Sequence, residues 1–105
     1  MHFTIKEKEA ISRVFGELIK ADGKVDVSEA ESLFLTFTHF DISTQIQDDG
    51  RKLSSEEALA ILGAMNEEKR AELVHFMHQM ADADGHLDPR EMDLILKVIH
   101  PKSGS

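Results

Sequence analysis

The chain has 105 residues, 41% of them hydrophobic, which is the usual size of one domain and enough to form one buried core. Its 20 acidic residues outnumber the 12 basic ones, and the formal net charge of −8 disfavours nucleic acid and anionic membrane surfaces while favouring cations or basic partners. The lack of cysteine excludes disulfides, thiolate metal ligands and a thiol nucleophile. The N-terminal segment has no continuous apolar run, so we expect neither a signal peptide nor a transmembrane span.

Helix start signals recur along the chain. Four pairs fit the capping box, in which each side chain accepts a hydrogen bond from the other residue's backbone N–H: Thr4 with Glu7, Asp26 with Glu29, Ser54 with Glu57 and Asp88 with Glu91. With the Gly and Pro stop signals they predict helices over about 5–21, 27–39, 43–51, 55–65, 67–82 and 89–100. Gly50 weakens the third of these. Strand signals are absent, so we predict an all-α fold with one domain over 1–100 and a flexible tail over 101–105.

Apolar residues spaced three and four apart predict the buried faces of four helices. They are Ile11, Val14, Phe15, Leu18 and Ile19 in the first helix, Leu33, Phe34, Phe37 and Phe40 in the second, Leu73, Phe76, Met77 and Met80 in the fifth, and Leu94, Ile95, Val98 and Ile99 in the last. The first two helices and the last two are expected to form two similar hairpins, which bury these faces against each other about a pseudo-twofold axis. Residues 41–66 would then fill the remaining gap.

The strongest signal is an internal repeat. Residues 21–29 read ADGKVDVSE and residues 83–91 read ADGHLDPRE, an offset of 62 positions, and the apolar residues on both sides correspond at the same offset. The chain is therefore predicted to build one unit twice, a helix, an acidic turn and a second helix. In the expected bundle both acidic turns lie at one edge.

Helix capping explains most residues of these turns. Glycine ends one helix in the left-handed conformation, the second Asp caps the next helix, and the Glu completes the capping box. A cap of this kind stabilises a helix by about 0.5–2 kcal/mol. Asp22 and Asp84 are the two acids that capping explains least.

Cation binding is the other interpretation of the turns. Asp84, Gly85 and the final glutamate fall at EF-hand spacing, but the leading position is Met80, and in the first repeat it is Leu18, so a true EF-hand is not expected. Carboxylates from both turns could still form an oxygen site for Ca²⁺, Mg²⁺ or Mn²⁺. The candidate metal ligands are Asp22, Asp26, Glu29, Asp84, Asp88 and Glu91.

The sequence offers little support for a zinc site or for a catalytic site. His75, His78 and Asp82 share one helical face at a spacing suitable for Zn²⁺, but we interpret them as surface residues because a zinc site needs a fourth ligand and supporting contacts. Glycine-rich phosphate loops, nucleophile elbows and HExxH helices are missing, so no enzymatic activity is expected.

Two copies of A-D-G-x-φ-D-x-x-E (φ apolar), together with the segment LSSEEALAILGAMNEEKRAELVHFMHQMADADG, resemble the tellurite-resistance TerB family and its TerB-like relatives over residues 8–99. The resemblance implies a compact helical fold with internal pseudo-symmetry. By position, the family's acidic turn residues correspond to the six acids named above. It also implies a role in tellurite or other stress responses, divalent-cation binding and membrane-associated protein complexes, and no catalysis.

We therefore expect a non-enzymatic, acidic interaction module, cytoplasmic or peripheral to a membrane complex, which binds a basic surface of a protein partner and takes up a divalent cation at its two turns. The alternative is a purely protein-binding scaffold domain in which the turn acids are only helix caps.

Overall fold

The computed structural model describes residues 2–20, 27–81 and 89–100, and within these ranges the chain forms six α-helices and no strand. They are α1 (Ile5–Lys20), α2 (Val27–His39), α3 (Thr44–Gly50), α4 (Ser55–Gly63), α5 (Glu67–Ala81) and α6 (Pro89–Ile99). The predicted all-α fold is confirmed, and every predicted helix is present. No described helix combines the length and the apolar character needed to cross a membrane.

Capping boxes start α1 and α4 as predicted. The backbone N–H of Thr4 donates to Glu7 at 2.8 Å, and the Glu7 N–H donates to the Thr4 hydroxyl at 3.1 Å. Ser54 and Glu57 make the same reciprocal bonds at 2.9 and 3.0 Å. The hydrogen bonds from the Ser54 backbone and side chain lower the pKa of Glu57. These local bonds set where each helix begins, because they satisfy N–H groups that the helix itself leaves unpaired.

The short helix α3 is the one that the sequence indicates least clearly. Its N-cap is Ser43, whose hydroxyl accepts a hydrogen bond from the Ile46 N–H at 3.2 Å. Gly50 is its last residue and lies against α1, where an added Cβ would stand 2.6 Å from the carbonyl oxygen of Glu9. The glycine that weakens the helix signal is therefore required by packing, since it lets the backbones of α3 and α1 approach closely.

The helix α1 lies at the centre of the bundle. Along it, Ile11, Val14, Phe15 and Leu18 are fully buried, as the apolar spacing predicts. Its most extensive contacts are with α3 and α4, and it also packs on α2, α5 and α6. Residues 41–66 thus do more than fill a gap between two hairpins, because α3 and α4 form one whole wall of the core around α1.

A contact between equivalent residues marks the relation between the two repeats. Glu7 and Lys69 are separated by the same 62 positions as the two acidic turns, and the Lys69 ammonium nitrogen lies 2.8 Å from the Glu7 carboxylate. In a bundle built about a pseudo-twofold axis, equivalent residues meet near that axis, so this contact agrees with the expected arrangement. Burial raises the pKa of Glu7, but the bonds from Lys69 and Thr4 outweigh it, so the pKa lies below the ordinary value of 4.5.

The two hairpins pack unequally, and this corrects part of the predicted core. In the second hairpin α5 and α6 are closely packed, and Ile95 and Val98 are buried. In the first, α2 touches α1 only lightly, and Leu33 is partly buried. The prediction that Phe34 and Ile99 face inward is wrong, because both are exposed. Successive helix positions differ by about 100°, so a helix that buries Leu33 and Thr36 turns Phe34 outward.

Candidate functional site: the acidic turns and the outer face of α2

The six predicted metal ligands fall partly outside the part of the chain that the structure describes. Asp22, Asp26, Asp84 and Asp88 lie in residues 21–26 and 82–88, outside the described ranges, and so do the two capping boxes that begin at Asp26 and Asp88. Glu29 and Glu91 are described, and each lies in the first turn of its helix, α2 or α6.

Glu29 and Glu91 share an unusual environment for carboxylates. Each is only 3% exposed, and each makes at least one polar or electrostatic interaction. Glutamate is rarely so buried without a compensating contact, because removing an ionised carboxylate from water is costly. The two repeats therefore place one buried acid at the same point, the last residue of each acidic motif. This arrangement fits both interpretations of the turns, as caps or as a cation site.

The histidines of α5 do not form a metal centre within the described residues. His75 and His78 are exposed, and Asp82, their predicted companion, lies outside the described residues. Across 2–20, 27–81 and 89–100, no three His, Asp or Glu side chains are grouped closely enough to hold a metal ion.

The C-terminal end of α2 is held firmly on α5. The His39 ring stacks on Phe76 with 4.3 Å between ring centroids, and its Nε2 lies 2.7 Å from the Glu72 carboxylate. Phe40 packs edge-on against Phe76. The helix ends at His39, and two residues later Asp41 adopts a φ of 56°, the left-handed conformation that lets the chain turn away. These contacts fix which side of α2 faces solvent.

The solvent side of α2 is apolar. We call it the outer face of α2 and define it by the five residues that line one shallow depression: Val27, Ala30, Glu31, Phe34 and Leu35. Val27 is 73% exposed, Phe34 70% and Leu35 63%. Isolated apolar side chains are ordinary on protein surfaces, and what distinguishes this face is that three large ones lie together.

The equivalent face of α6 is less apolar, although Leu96, at the position of Phe34, is 45% exposed. At the positions of Glu31 and Leu35, α6 carries Asp93 and Lys97, whose side chains form an ion pair at 3.1 Å. The outer face of α2 has no lysine there, and in the described part of the chain Glu31 forms no ion pair. Sequence reasoning missed this face because it assigned Phe34 to the core. Comparing the two repeats residue by residue would have revealed it, since Leu35 and Lys97 differ in kind.

Comparison with solved structures supports the fold. A protein of unknown function from Porphyromonas gingivalis W83 superposes with a TM-score of 0.78 at 22% sequence identity, and the match covers 93% of this chain and 82% of that one. At this identity the likeness concerns the fold alone. No curated protein matches the sequence.

The family model described as "Tellurite resistance protein TerB" matches residues 8–100, which is nearly the whole helical bundle and includes both acidic turns. The match agrees with the duplicated motif, the six helices of the described residues and the contact between the equivalent residues Glu7 and Lys69. The chain therefore belongs to the TerB family.

Proposed function

We propose that this TerB-family chain is a non-enzymatic interaction domain that binds a protein partner through the outer face of α2. The observation that supports the proposal most is the exposure of Phe34 at the centre of that face, flanked by exposed Val27 and Leu35. Aromatic side chains are enriched where proteins bind one another, because each buries a large area at a small entropic cost. The family resemblance extends the proposal to a stress response, in the cytoplasm or at the periphery of a membrane complex.

Site-specific photo-crosslinking tests this proposal. A benzophenone amino acid replaces Phe34 in cells that naturally make the protein, and the matched control carries the same group at Leu96, the equivalent position on α6. We expect a discrete crosslinked partner from position 34 and none from position 96. Equal crosslinking at the two positions, or none at position 34, would contradict the proposal.

We also propose that the two acidic turns bind a divalent cation, either Ca²⁺, Mg²⁺ or Mn²⁺. The proposed ligands are Asp22, Asp26, Glu29, Asp84, Asp88 and Glu91. The proposal is supported by the buried carboxylates of Glu29 and Glu91 at equivalent points beside the turns. Carboxylates held near one another repel, and a bound cation would relieve that repulsion and stabilise the folded protein.

Thermal unfolding in millimolar Ca²⁺, Mg²⁺ or Mn²⁺ at matched ionic strength tests the cation proposal. The melting temperature of the parent protein should rise, and it should rise less in the Asp22→Asn, Asp84→Asn variant. Asp48→Asn with Asp49→Asn is the charge-matched control in α3 and should respond like the parent. Equal shifts in all three proteins would mean that the turn acids are only helix caps, which is the scaffold alternative.

A further inference from the structure

The residues of the outer face of α2 are spaced so that a partner helix could pack along them. Val27, Glu31, Phe34 and Leu35 follow the spacing i, i+4, i+7 and i+8, so their side chains form one stripe along the helix axis. The stripe is about 12 Å long, since nine residues rise by about 1.5 Å each between neighbours. Partner helices that dock on such stripes do so with their own apolar residues at the same spacing.

The charge of the face restricts the partner further. Glu31 lies among Val27, Phe34 and Leu35, and no described cation neutralises it. A Lys or Arg of a partner would gain an ion pair with this exposed carboxylate at the edge of the apolar contact, whereas an Asp or Glu would be repelled. On the equivalent face of α6, the carboxylate of Asp93 is paired within the helix, by Lys97. On α2 no described Lys or Arg takes the place of Lys97, so a partner that supplies one is favoured.

We infer that the outer face of α2 binds a basic amphipathic helix of a partner protein, with apolar residues that cover Phe34 and Leu35 and a Lys or Arg that pairs with Glu31. This inference rests on the proposed function and adds the chemistry of the partner. The five residues of the face include no Lys or Arg, so a second copy of this chain would bring another Glu31 and another net charge of −8. Repulsion between the two Glu31 carboxylates and between the two acidic chains disfavours self-association through this face.

The test is an NMR titration of the ¹⁵N-labelled protein with a capped helical peptide of about 18 residues, built from Leu on one face and Lys on the other. A peptide with Glu in place of every Lys is the charge-reversed control. We expect saturable binding of the Lys peptide, with chemical-shift changes concentrated in residues 27–38, and no binding of the Glu peptide.

Three variants separate specific docking from general attraction to an acidic protein. Phe34→Gln should weaken binding about tenfold or more, as removal of a central aromatic anchor does. Glu31→Gln should weaken it about threefold or more through loss of the ion pair. Leu96→Gln, the equivalent change on α6, should leave the affinity within about twofold, because that face is not the site.

Several results would overturn the inference. These are absence of binding, equal binding of the Glu peptide, affinity that does not depend on Phe34, or shift changes spread over the whole acidic surface. Sedimentation of the protein alone at the titration concentration gives a further check: a dimer that Phe34→Gln disrupts would make a second copy the occupant. A crosslinked partner at position 34 together with failure of the Lys peptide would leave the proposed function standing and remove this inference alone.

Discussion

The helices α2 and α6 occupy equivalent places in the two repeats but present different surfaces to solvent. Both follow an ADG turn and both bury a glutamate in their first turn. On α6 the outward positions carry the Asp93–Lys97 ion pair, a surface that water solvates well. On α2 they carry exposed Phe34 and Leu35. Position 96 of α6 is also apolar and exposed, so the two helices differ in how far Phe34 protrudes and in the replacement of a paired lysine by Leu35.

The largest expected difference between the two helices concerns their inner faces. Ile95 of α6 is fully buried, whereas Leu33 at the equivalent position of α2 is only partly buried. Ile95→Ala should lower the free energy of unfolding by about 2–5 kcal/mol, and Leu33→Ala should cost at least about 1 kcal/mol less. Urea denaturation of the two variants measures both values. Equal losses would mean that α2 is packed as tightly as α6.

A smaller effect is expected where the two repeats meet. The side chains of Lys69 and Glu7 are 17% and 15% exposed, so Lys69→Met should lower stability at neutral pH by about 1 kcal/mol. Because the pKa of Glu7 is lowered in the folded state, its stabilisation is present above pH 4.5 and is lost as the pH falls through the lowered pKa. The variant should therefore lose less stability than the parent between neutral and acid pH. An unchanged acid dependence by urea denaturation would contradict this.

The smallest effect comes from exchanging the outer faces. Leu35→Lys places a lysine four residues after Glu31, as Lys97 follows Asp93, and should be neutral or stabilise the protein by about 0.3–0.5 kcal/mol. Lys97→Leu should lower the stability of the protein by a similar amount, because it removes the ion pair with Asp93. Thermal unfolding of both variants tests the exchange. A loss above about 1 kcal/mol for Leu35→Lys would show that Leu35 is buried in the free protein.

Local signals in the sequence predicted the helices well. The bounds of α2 agree at both ends, and the capping boxes at Thr4 and Ser54 form as expected, because each depends on residues within one helical turn. The third helix was the weakest prediction, since Gly50 counts against a helix when its close contact with Glu9 is unknown.

The orientation of α2 could not be predicted in the same way. Leu33, Phe34 and Phe37 are all apolar and cover more than one side of the helix. The buried side is chosen by tertiary contacts, here the stacking of His39 on Phe76. The cation site predicted at the turns stays a prediction, because four of its six acids lie outside the described residues.

The most direct test of the account is the solvent accessibility of the Phe34 ring in the free protein. Relaxation of side-chain protons by a soluble paramagnetic agent measures it in dilute solution. We expect strong enhancement for the Phe34 ring and the Leu35 methyl groups, close to that of exposed Ile5, and almost none for buried Phe15. A Phe34 ring as protected as Phe15 would mean that the outer face of α2 is already covered, and it would contradict the account.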